Sequence, residues 1–143
     1  MSSITLNRGT AYAHGGALLP TVSSPRTLLL LGTALALVAA AALGDPRPMI
    51  AADPDLARLL RGMALIKGVL VLAALGILLW RFGRPLESAH LMAYLFGAWL
   101  TSAATVLIWQ LSHIVPAAIV FHAGELLLLL TAWRDGHRPR AAD

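Results

Sequence analysis

The chain has 143 residues, 58% of them hydrophobic and 13% charged, with 11 basic against 7 acidic residues and a mean hydropathy of +0.74. A soluble domain carries about a quarter charged residues, so these charges are too few to cover a water-soluble globule, and neither a disordered chain nor a soluble enzyme fits. The sequence has no cysteine, which excludes disulfides, thiolate metal sites and cysteine catalysis.

Residues 1–25 mix Ser, Thr, Gly and Pro with no helical period, and read as a flexible or surface-lying tail that includes His14-Gly15-Gly16. The membrane domain then occupies residues 26–134, with spans expected at 27–44, 58–81, 88–113 and 115–133. The apolar core of each is about 18–20 residues, or roughly 30 Å of helix, which matches the hydrocarbon thickness. Lipid offers the backbone no hydrogen bonds, so these runs must be helical. The first run has a competing reading as a signal peptide, because Arg26 precedes it and Ala42-Leu43-Gly44 resembles a small-residue cleavage site. The length of the preceding tail favours a retained helix.

The links are marked by breakers. Gly44-Asp45-Pro46-Arg47-Pro48 ends the first span, and Asp53 with Pro54 forms an N-cap and first helical position ahead of the second. Gly83-Arg84-Pro85 separates the second from the third. The third link is short enough to make an antiparallel hairpin, with Pro116 opening the fourth span. Residues 135–143 read as a basic C-terminal tail able to touch anionic lipid or an acidic partner surface. The fold class expected is all-α, an integral membrane four-helix bundle.

The basic excess reads as topology rather than as nucleic-acid binding, since no basic stripe is interleaved with aromatics. With an inside N-terminus, Arg8, Arg26, Arg81, Arg84, Arg134, Arg138 and Arg140 lie on the cytoplasmic side, against Arg47, Arg58 and Arg61 outside. Both termini are therefore expected in the cytoplasm. Trp80 and Trp133 then mark the inner interface, Trp109 the outer one, and Trp99 packs mid-span. The preference for Arg over Lys, with abundant Ala, Gly and Pro, suggests a GC-rich bacterial genome and hence the inner membrane.

Lipid is as apolar as Leu, so the helices must associate through small residues. Gly32, Ala36, Ala40 and Gly44 form one four-residue stripe. Ala93, Gly97, Thr101 and Thr105 form another, and Ala64 and Gly68 offer a third contact.

Ionisable groups inside a span are costly and count as functional candidates. Residue counting places Lys67, Gln110, His113, His122 and Glu125 in the outer half of the bilayer or at its midplane, with only His90 at the inner edge. His122 and Glu125 share a helix face, and Lys67 lies level with His122, so an ion pair between Lys67 and Glu125 is expected. These residues support three readings. The first is a non-catalytic accessory or assembly subunit of a larger membrane complex, meeting other membrane subunits or a second copy. The second is a redox module that holds haem b or quinone near His122, with His113 as a poorly placed second ligand. The third is a proton-coupled transporter using Glu125. The order His-x-x-Glu reverses the element of carboxylate-bundle metal sites, and too few carboxylates accompany it for a di-metal centre. No phosphate-binding loop, nucleophile elbow or zinc-protease motif is present.

Overall fold

The computed structural model describes residues 24–137. They form α1 (Pro25–Ala42), α2 (Arg47–Ala52), α3 (Pro54–Arg81), α4 (Ser88–Trp109) and α5 (Ile114–Gly136), with no strand among the described residues. Four of the five, all but α2, are long and apolar enough to cross a membrane. The expected tail over residues 1–25 lies almost wholly outside the described residues, as do Arg138 and Arg140.

Local signals set the helix starts. Ser24 Oγ accepts the Thr27 backbone N–H at 3.1 Å, and Pro25 opens α1. Asp53 Oδ1 accepts the Leu56 N–H at 2.9 Å, and Pro54 opens α3. The boundaries differ from the expected ones in three places. The link after α1 contains the short helix α2, because Pro48 sits in its first turn, where no N–H is needed. The helix expected to run to residue 113 stops at Trp109, because Leu111 and His113 both take positive φ, 57° and 52°, in the turn. The last helix continues through Asp135 to Gly136, so the first residues assigned to the C-terminal tail are helical.

The bundle is built around α4, which packs against α1, α5 and α3. Its buried residues, among them Tyr94, Leu95, Gly97, Ala98, Thr101, Ser102, Ala104 and Ile108, face several sides. Thr101, Ser102 and Thr105 donate back to carbonyls of their own helix, at 2.7–3.1 Å, and so bring no unsatisfied hydroxyl into the core.

The small-residue stripes lie at the contacts. On α1, Ala40 is buried and Gly32 and Ala36 are half-buried, as is Gly44 just beyond its end. A Cβ on Gly32 would run into the Trp99 ring, and one on Gly44 would meet the Gln110 side chain at 2.6 Å. Between α4 and α5 the approach is closer still. A Cβ on Gly124 would lie 3.1 Å from the Gly97 carbonyl oxygen and 3.2 Å from the Thr101 nitrogen, so backbone meets backbone there.

Two helices follow a seven-residue repeat. On α3 the buried positions are Ala57, Ala64, Val71 and Leu78. On α5 they are Ala117, Phe121, Gly124 and Thr131, with Leu128 partly buried on the same stripe. A 3.5-residue period keeps one seam facing its neighbour along the whole helix. Outside its seam α3 is exposed, with Leu59, Leu65, Ile66, Val69, Leu72 and Ile77 all outward, as suits contact with acyl chains. Trp80, Trp133 and Trp109 are exposed near helix ends, whereas Trp99 packs against the inner core.

Candidate functional site

α3 and α5 run in the same direction, side by side on α4. Lys67 Nζ lies 3.7 Å from the centroid of the Phe121 ring, and Arg81 pairs with Asp135 in the last turns of the two helices. Both contacts have the same sequence offset of 54 residues, so the two helices are in register along this length. By the same register Val71 lies level with Glu125.

The polar residues expected in the outer half do not form one cluster. Lys67, His122 and Glu125 come together through Phe121, a side chain only 1% exposed. Lys67 covers its face, and the His122 ring stands edge-on to it at 5.6 Å and 87°. Attraction of an ammonium to a ring face partly replaces the hydration that Lys67 forgoes. His122 Nδ1 lies 3.0 Å from Glu125 Oε2. The expected ion pair of Lys67 with Glu125 is not formed. Glu125 is bonded by its own helix neighbour, one turn away, while the Lys67 ammonium is held a turn further out by the ring.

Gln110 and His113 lie elsewhere. Gln110 caps α4 and packs against α1, with its Nε2 3.5 Å from the Ala41 carbonyl. His113 is exposed and serves as the left-handed residue before α5. It precedes His122 by nine residues, roughly 13 Å of helix, too far for both to ligate one haem iron. No group of three or more His, Asp or Glu able to hold a metal converges among the described residues.

Two of the remaining three, His122 and Glu125, are placed unusually for an intramembrane site. The His122 side chain is 67% exposed and that of Glu125 35%. Both open from the α3–α5 groove toward the outside of the bundle, amid exposed Ile119, Leu126 and Leu129.

Residue counting also left the other end of the membrane nearly empty of polar groups, and the structure corrects this. Arg81 Nε and Nη2 donate to the two carboxylate oxygens of Asp135, each at 2.9 Å, and Tyr94 Oη donates to Asp135 at 3.4 Å. The Arg81 and Asp135 side chains are 23% and 14% exposed. The seven-residue repeat of α5 carries this signal, since Asp135 follows Thr131 on the buried seam. Arg26 adds a tie at the same end, its Nε donating to the Leu79 carbonyl at 3.0 Å.

Comparison with protein-family models, with curated proteins and with solved structures finds no match for this chain. The likeness of the fold to any small helical bundle carries no activity with it.

Proposed function

We propose that this multi-pass membrane protein is a non-catalytic accessory or assembly subunit of a larger complex in a bacterial inner membrane, with both termini cytoplasmic. One observation carries the reading: a His–carboxylate pair lies within a span and faces out of the bundle. Ionisable groups in spans face protein or water-filled cavities, because acyl chains cannot solvate them. A neighbouring polypeptide lying over the α3–α5 groove would supply the missing polar contacts to His122 and Glu125. A photo-crosslinking residue placed at position 122, in membranes, tests this. The expected product is an adduct with another polypeptide or a second copy of this chain, formed more strongly than from position 38 on the lipid-facing side of α1. Adducts with lipid alone at both positions would sink the proposal.

A second reading has one observation in its favour. Engagement of His122 Nδ1 by Glu125 leaves Nε2 for another partner, the way carboxylates orient metal-bound histidines. A haem b held by this single histidine, or a quinone bonded to it, would lie on the bundle's outer face under the same neighbouring polypeptide. A Soret band in the purified protein, lost in His122→Ala, would establish the haem form.

A further inference from the structure

At the end of the bundle where α3 and α5 terminate, a cleft of about 1260 Å³ is lined by residues of both helices. That exceeds the roughly 300–1,000 Å³ of sites for drug-sized molecules. Its inner walls are apolar, formed by Ala74, Ile77 and Leu78 of α3 and Leu128, Leu129 and Ala132 of α5. Its mouth is polar, with Arg81, Arg84, Glu87 and Asp135. From Ala74 to Arg81 the trough extends about 10 Å along the helix axis. The long direction follows the acyl chains, and the polar mouth lies beside exposed Trp80, at the depth where aromatic side chains meet headgroups.

The charges at the mouth are not equivalent. Asp135 is held by both Arg81 and Tyr94. Arg81 uses Nε and Nη2 on that carboxylate, and its Nη1 is buried with no hydrogen-bond partner. Arg84 is exposed and lies 4.8 Å from the Trp80 ring centroid, with no carboxylate among the described residues within ion-pair distance. The Arg84 guanidinium thus offers donors at the open end of an apolar trough, while Arg81 is spent on Asp135. The matching ligand has an anionic oxygen cluster attached to a hydrocarbon chain.

We propose that this cleft binds a phospholipid, with one acyl chain lying between α3 and α5 and the phosphate received by Arg84. The site is at the opposite membrane face from His122 and stands whether or not the subunit reading holds.

The test uses the full chain in detergent micelles, with retained lipid read by native mass spectrometry during titration with phosphatidylglycerol, phosphatidylcholine or inorganic phosphate. Wild type is expected to retain one phosphatidylglycerol molecule. Arg84→Ala should weaken retention about tenfold, as loss of a charge-assisted hydrogen bond does, while Arg84→Lys keeps part of it. Ala132→Trp, which fills the trough from an exposed position, should abolish it with α-helical content unchanged. Equal retention by all variants would overturn the proposal. So would displacement of the lipid by inorganic phosphate at matched concentration, which would mark a headgroup-only anion site. Equal retention of phosphatidylcholine would leave the phosphate contact standing and show that net headgroup charge adds nothing. That outcome supports the site as stated.

Discussion

Arg81 and Asp135 join the last turns of α3 and α5 through a two-pronged contact, two parallel N–H···O bonds of 2.9 Å in a partly buried setting. No other ion pair among the described residues links two helices. Removing one partner strands the other. Asp135→Ala should therefore lower the unfolding free energy by about 1.5–3 kcal/mol, the range for hydrogen bonds to charged groups. Replacing both, as in Arg81→Leu with Asp135→Leu, should recover most of that loss. Thermal unfolding in detergent, followed by circular dichroism, measures both. A double variant less stable than Asp135→Ala would contradict the assignment.

Gly124 lies where the backbones of α4 and α5 touch. Gly124→Ala places a methyl 3.1 Å from the Gly97 carbonyl oxygen, which cannot swing aside as a side chain would. The expected cost is about 1–3 kcal/mol, as for overpacked cores. Gly62→Ala, with open space around it on α3, should be neutral or stabilising by the helix propensity of Ala. The contrast between the two in one unfolding assay separates close approach from propensity.

The ring of Phe121 holds Lys67 within the span. Phe121→Leu keeps an apolar side chain and removes the ring face, so its cost should fall by about 1 kcal/mol when Lys67 is already Met. A double-mutant cycle read by unfolding gives this coupling. Strict additivity would show that the ammonium rests on the ring without attraction.

His113 takes φ 52° and its side chain caps nothing. A left-handed conformation costs a non-glycine residue roughly 1 kcal/mol. His113→Gly should raise stability by up to that amount, less the added entropy of the unfolded chain. A falling midpoint would show that the imidazole makes a contact worth more than the strain.

Orientation is testable because the chain has no native cysteine. A single cysteine at Ser112 should react with a membrane-impermeant maleimide added from outside cells. One at Gly136 should react only after permeabilisation. The reverse pattern would invert the topology argued from the arginines.

The helices were legible because their causes are local. Hydrocarbon thickness fixes the length of an apolar run, Ser24 and Asp53 cap the starts they precede, and small residues four apart announce a face that can approach another backbone. Depth is equally local, since each residue adds a fixed rise, so Lys67, His122 and Glu125 could be assigned to one region from counting alone. Direction around the helix axis relative to a neighbour is different. It depends on which helices are adjacent, and a bilayer uniform in its plane leaves that order to packing. Only the assembled bundle turns Gln110 toward α1, lays Lys67 on Phe121 instead of Glu125, and brings Asp135 from an apparent tail onto Arg81, 54 residues away.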